Sequence, residues 1–164
     1  MQNLTIINTP KLEEARKQIQ KIIRENKNPE ERIALLSQDD DFNRKALEIK
    51  KLSAIIINES LDTRDYSKQR NSSLNEVLCK IASKNNIAIG IQLKDIIKKP
   101  EITQARALAR LKQNLILTKR EKTKVFIEEE SEGKKLSKQD KMSILVSLGA
   151  GTKQAQEIVG FSFK

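Results

Sequence analysis

The chain has 164 residues, of which 37% are hydrophobic and 33% charged, so it is long enough for a buried core and too apolar for a disordered chain. It has no histidine and one cysteine, which excludes histidine triads, histidine-ligated zinc and an internal disulfide. The formal net charge is +10, divided as +2 over residues 1–82 and +8 over residues 83–164, with +8 in Lys84–Lys124 alone; such a field attracts polyanions.

Leu4–Asn8 reads as a strand, and Thr9 as the cap of a helix with Pro10 in its first turn, where a missing N–H costs least. Leu12, Ala15, Ile19, Ile22 and Ile23 form the expected buried side of that helix. Ile33–Leu36 is the next strand. Asp39, Asp40 and Asp41 open a helix containing Phe42, Ala46, Ile49 and Leu52, where the dipole favours negative charge. Ala54–Ile57 is a third strand, followed by a polar loop over Asn58–Asn71.

Ser73 and Glu76 stand at capping-box spacing, ahead of an apolar stripe of Leu74, Val77, Leu78, Ile81 and Ala82. Cys79 lies in this helix and is expected to be a small buried side chain, since no histidine exists to activate it. Asn85 and Asn86 end the helix. Ile87–Ile91 is apolar without alternation, as in strands covered on both faces. Lys98, Lys99 and Pro100 lead into a helix over about Glu101–Lys119, and Lys124–Glu128 is the fifth strand. Glu129–Lys135 reads as a charged loop. Ser137 and Asp140 open a helix ending near Gly149, Thr152–Val159 is a last short helix, and Phe161 and Phe163 are expected to pack back onto the body.

Strands separated by helices predict an α/β fold with right-handed crossovers and a mostly parallel sheet, open or curved towards a barrel. The expected organisation is one domain over 1–164, with the final short helix and tail at 150–164. A closed eight-stranded barrel takes about 250 residues, so five strands predict an incomplete TIM-like (β/α) barrel whose exposed sheet edge needs shielding.

The segment Asn71–Gly90 matches the pattern N-x-x-x-(D/N)-x-V-L-x-K-(I/L)-A-x-K-N-N-(I/V)-A-(I/L)-G, and Ser147–Ile158 matches a serine-leucine-glycine followed by a small helix containing Gln-Ala. Leu4–Pro10 is similar to an internal strand of the same proteins. In these segments the chain resembles the β/α-barrel protein subunit of archaeal and eukaryotic ribonuclease P, called component 3 in archaea. The resemblance implies a chain missing earlier N-terminal β/α material, either a short or N-terminally reduced member with an incomplete barrel or a fragment of a longer member. It also implies an accessory subunit, not itself catalytic, of the endoribonuclease that removes the 5′ leader from precursor tRNA. Its partners would be the ribonuclease P RNA, the component 2 protein and other ribonuclease P proteins, with precursor tRNA reached through the complex. Magnesium would be required by the RNA and no cofactor bound by the chain. The N-terminus lacks a basic region with a cleavage site, no apolar run reaches a membrane span, and the expected location is the cytoplasm.

Two other readings compete. Carboxylates at Asp39–Asp41, Glu59, Asp62, Asp65 and Glu128–Glu130 follow strands, and an enzyme could gather them around magnesium as a phosphoesterase of the related barrel superfamily. That superfamily uses histidines, absent here. A protein-interaction scaffold would need an exposed apolar patch, for which Phe161 and Phe163 are candidates.

With 3% aromatic residues, stacking on single-stranded bases is a poor main mode, and structured RNA read through phosphates and 2′-hydroxyls fits better. By resemblance, Arg16, Lys45, Arg70, Lys84, Arg120 and Lys141 match basic positions or their neighbours implicated in RNA contact. Arg106 and Arg110, one turn apart, are added from spacing. A solvated helix face explains each of these singly. Glu76 departs from the family pattern, standing where many members place histidine.

Overall fold

The structure, a computed structural model, describes residues 4–25, 31–59, 65, 70–128 and 136–163. Its elements run β1 (Leu4–Ile7), α1 (Leu12–Glu25), β2 (Arg32–Leu36), α2 (Asp40–Ala46), β3 (Ala54–Ile57), α3 (Glu76–Lys84), β4 (Ala88–Ile91), α4 (Leu93–Ile97), α5 (Glu101–Arg120), β5 (Val125–Ile127), α6 (Lys138–Ser147) and α7 (Thr152–Val159). The five strands are all parallel and lie in chain order, β1-β2-β3-β4-β5. An order without reversal sends every right-handed crossover the same way and places the helices on one side of the sheet, as in a barrel rather than a doubly wound sheet.

Alternation along the strands separates two faces. Ile7, Ile33, Leu35, Ile55, Ile57, Ile89, Ile91 and Val125 face the helices and join Ala15, Ile19, Leu78, Leu111 and Leu115 in the main core. The opposite, concave face carries Ala34, Ala54, Ile56, Ala88 and Phe126. Their register forms rows: Ile6 pairs with Ala34, Ala34 with Ala54 and Ala54 with Ala88; Leu36 pairs with Ile56, Ile56 with Gly90 and Gly90 with Phe126. A Cβ at Gly90 would stand 2.8 Å from the Phe126 ring and 2.9 Å from Ile56, so only glycine lets this ring lie flat on the sheet. Phe161 and Phe163 return from α7 onto Phe126 with ring centroids 5.5 and 5.2 Å away, which leaves the residues expected to form a scaffold's apolar patch half-buried against the sheet.

Several local expectations are corrected. Thr9 does not cap α1; its hydroxyl donates to Glu14 at 2.9 Å and accepts from the Lys11 N–H, and the helix starts at Leu12 beyond Pro10. Asp39 caps α2 by accepting from Phe42 N at 2.8 Å, but the regular helix stops at Ala46, and Ile49 and Leu52 follow in turns. The cap of α3 is Asn75, whose side chain accepts from Leu78 N at 3.0 Å, not Ser73 with Glu76. Ser73 is held elsewhere: its N–H donates to Glu59, and its carbonyl accepts from Asn43. Ile23 and Val77 are exposed, outside the stripes expected to bury them. Helix α4 precedes the expected Lys98–Pro100 connection. The capping box of Ser137 and Asp140 forms as expected, and Gly149 at φ +96° follows α6 in a conformation that suits glycine. The charged loop Glu129–Lys135, and with it Glu129 and Glu130, lies outside the described residues, as does Asp62. No helix among the described residues is long and apolar enough to cross a membrane.

Candidate nucleic-acid interface

In a parallel β/α array every helix ends at the edge where the next strand begins. Basic residues of the last helical turns, favoured there by the dipole, are therefore collected on one end of the sheet. Lys45 of α2, Lys84 of α3, and Lys119 and Arg120 of α5 are such residues. The turns into β3, β4 and β5 each contain a residue of positive φ: Lys51 at 76°, Asn86 at 57° and Lys122 at 54°. This tight reversal turns the chain back into the sheet and leaves the lysine side chains outward.

These turns, the start of β2 and the start of α7 surround an open cavity of about 1300 Å³. Arg32, Lys51, Lys119, Lys122, Lys124 and Lys153 line it, against the carboxylates Glu31 and Glu157. Apart from the half-buried Arg32, these cations are exposed. Lys124 Nζ is held 2.7 Å from Asn86 Oδ1, which fixes one ammonium group on the rim. A concave surface with this excess of cations focuses an attractive field on phosphates.

The other end of the sheet has opposite character. Glu59, directly after β3, is buried; its Oε1 accepts from Ser72 Oγ at 2.6 Å, Asn114 Nδ2 at 2.8 Å and Ser73 N at 3.2 Å. Burial pushes its carboxyl above the ordinary range, against the lowering effect of the Ser72 and Asn114 hydrogen bonds and the Arg110 charge. Asp65 accepts from Arg110 Nε at 3.0 Å, Arg70 Nη1 at 3.0 Å and Asn71 N at 2.9 Å. Burial raises its pKa, but these bonds and the Arg110 charge outweigh it and hold the carboxyl below its usual value. The network ties the segment after β3 to α5. Among the described residues no three or more carboxylate or cysteine side chains are grouped to hold a metal ion.

The residues nominated from sequence fall into three groups. Lys45, Lys84 and Arg120 lie at the basic end. Lys84 is exposed, Lys45 is 2.6 Å from Asp41, and Arg120 reaches Glu76 at 2.6 Å and Glu121 at 3.0 Å. Glu76 also pairs with Lys80 at 2.7 Å, and the Lys80 hydrogen bond and the Arg120 charge lower its pKa. Arg70, Arg106 and Arg110 are away from that end. Arg106 is exposed and Arg70 half-exposed on Asp65. Arg110 is 1% exposed, a buried partner of Asp65 and no surface contact. Lys141 is likewise buried, at 8%, and Arg16 is an exposed partner of Glu13 on α1. Arg110 and Lys141 are thus corrected: each sits on a helix face turned inward, which the charge of a residue does not reveal. The cavity residues were missed, although basic side chains immediately before successive strands were a readable signal. Cys79 is buried as expected, and its thiol is pushed up to about 12 by desolvation.

No family model matches the chain. Over 110 residues it is 31% identical to ribonuclease P protein component 3 of Methanococcus vannielii, an alignment covering 67% of this chain and 45% of that protein. Its fold superposes on a chain of the cryo-EM structure of archaeal ribonuclease P with mature tRNA, with a TM-score of 0.75 and 21% identity. That match covers 96% of this chain and 64% of the other. The chain therefore spans less than half the length of the curated relative it matches. The resemblance read from Asn71–Gly90 and Ser147–Ile158 stands: in sequence this chain is similar to archaeal ribonuclease P protein component 3, and in fold to a chain of archaeal ribonuclease P.

Proposed function

We propose that the chain is an RNA-binding accessory protein of ribonuclease P, supporting removal of the 5′ leader from precursor tRNA by the RNA. The observation that carries this reading is the 31% identity to a ribonuclease P protein on a chain whose strand-start end is a concave cationic surface. Lys51, Lys119, Lys122, Lys124 and Lys153, with Lys84 and Arg120 beside them, meet RNA phosphates and displace condensed counterions. That neutralisation lowers the magnesium the RNA needs to hold its fold; the magnesium serves the RNA, and the chain holds none. The family's other proteins, component 2 first, are its protein partners, and its location is cytoplasmic. Barrel enzymes place their chemistry at the C-terminal strand ends; after β3, Glu59 and Asp65 are instead engaged by Ser72, Asn114, Arg70 and Arg110, which favours a non-catalytic subunit over a magnesium phosphoesterase.

The experiment is precursor-tRNA cleavage by the cognate RNA at limiting magnesium, with and without this protein and its component 2 partner. Stimulation that disappears when the RNA is omitted is expected. Cleavage by the protein alone would establish the phosphoesterase instead, and no effect in either setting would remove the accessory role.

A further inference from the structure

Ser72 Oγ lies 2.6 Å from Glu59 Oε1 and 2.7 Å from Asn114 Oδ1, and the Asn114 amide closes the triangle with Nδ2 2.8 Å from Glu59 Oε1. Each contact has the length of a hydrogen bond and needs one proton on its line. The hydroxyl carries one proton, and the amide presents its NH2 group to one neighbour and a bare oxygen to the other. Two protons therefore serve three contacts. Turning the amide over leaves the count unchanged, because its NH2 group then meets Ser72 and its oxygen meets Glu59. The backbone N–H groups of Ser73, 3.2 Å from Glu59 Oε1, and of Leu74, 3.1 Å from Ser72 Oγ, bring their own protons. With Glu59 as a carboxylate, one side of the triangle would set two lone pairs face to face between Glu59 and Asn114, which are 3% and 1% exposed.

We infer that Glu59 is held as a neutral carboxylic acid that supplies the third proton, which makes the attachment of the segment after β3 to α5 a proton-dependent latch. The charged groups of this network are Arg110 from α5 and Asp65 and Arg70 from the connection. Arg110 alone would favour the carboxylate, but its Nε meets Asp65 at 3.0 Å and so faces a carboxylate already. Burial is the largest influence on the Glu59 carboxyl and acts towards the neutral form. On ionisation the proton leaves for solvent, the Ser72 hydroxyl turns to the carboxylate, and Asn114 Oδ1 loses its donor. The latch is thus closed at low pH and loosens as pH rises through the folded pKa. The inference does not rest on RNA binding, so either reading can fail while the other stands.

The test is carbon-13 NMR of the full chain with labelled glutamate carboxyls, the Glu59 signal being the one that Glu59→Gln removes. At neutral pH its expected shift is that of a protonated acid, while exposed glutamates show carboxylates. As the signal moves to the carboxylate position at higher pH, amide exchange at Ser73 and Leu74 should quicken beyond its intrinsic rise. A carboxylate shift at neutral pH would overturn the inference. Ser72→Ala removes the group that receives the proton, and with unchanged circular dichroism it should move the Glu59 titration to lower pH. Movement to higher pH would show that Ser72 donates to a carboxylate, and would overturn the inference as well.

Discussion

The two ends of the sheet are built by the same β/α alternation and have opposite chemistry. At the strand starts, short turns, the end of α5 and the start of α7 place Lys51, Lys119, Lys122, Lys124 and Lys153 around an open cavity with few counter-charges. At the strand ends, Glu59 and Asp65 of the long connection after β3 are partnered by Ser72, Arg70, Arg110 and Asn114. The difference teaches that local charge does not distinguish a binding surface from a structural clamp. What distinguishes them is whether the connecting segment is short enough to leave the charge in solvent or long enough to bring it a partner.

The largest effect should come from breaking the clamp. Asp65→Asn removes the carboxylate facing the buried Arg110 and should cost about 3–5 kcal/mol, read as a fall in the urea midpoint, with thermal melting of the RNA-free protein as a check. The basic end should respond in the reverse sense. Replacing Lys119, Lys122 and Lys153 together by alanine should leave stability nearly unchanged but, if the proposed RNA binding holds, weaken that binding by about tenfold or more. The slope of log affinity against log salt should flatten by roughly 2–3. An unchanged slope would remove this cavity from the interface, and a large stability loss would erase the contrast between the ends.

A smaller effect separates two candidate caps. Asn75→Ala should cost about 1 kcal/mol through loss of the bond to Leu78 N. Ser73→Ala should cost less, because Ser73 enters the network through its backbone; equal losses would restore the expected capping box.

The mildest change is a matter of pH. Burial raises the Glu59 pKa above its unfolded value, so its contribution to stability is full below the unfolded pKa and is lost as pH rises through the folded one. Asp65, with its pKa lowered, has the opposite sign: its contribution is present above the unfolded pKa and is lost as pH falls through the folded value. Glu59→Gln keeps an oxygen for Ser72, Ser73 and Asn114, so denaturation series across pH should show the variant gaining on the parent as pH rises from 4 to 8. A constant difference would mean that Glu59 titrates as an exposed acid.

Much of the Asn71–Gly90 pattern that carries the resemblance is architecture. Its Asp-or-Asn position is the helix cap Asn75, and Ala82 is fully buried in the core. Asn85 Nδ2 donates to Leu47 O at 2.7 Å, and Asn86 supplies the positive-φ turn. Ala88 is buried on the concave face, and Gly90 is glycine because the Phe126 ring leaves no room for a Cβ. A pattern of this kind identifies a fold more securely than it identifies contacts with RNA. That is why the resemblance held while two of the basic residues named beside it, Arg110 and Lys141, are buried.

From sequence alone the alternation of elements was settled, since hydrophobic period and turn residues are properties of neighbouring positions. The five strands, the Ser137 box, the Thr152–Val159 helix and the burial of Cys79 all follow from it. Only the tertiary structure decided that the strands lie in one unreversed order, that Asn75 rather than Ser73 caps α3, that Val77 and Ile23 face outward, and that scattered lysines meet around one cavity. The physical reason is range. Helix period and caps act over four residues, whereas the direction of each crossover, the partner of a buried charge and the convergence of surface cations depend on segments up to the full length of the chain apart.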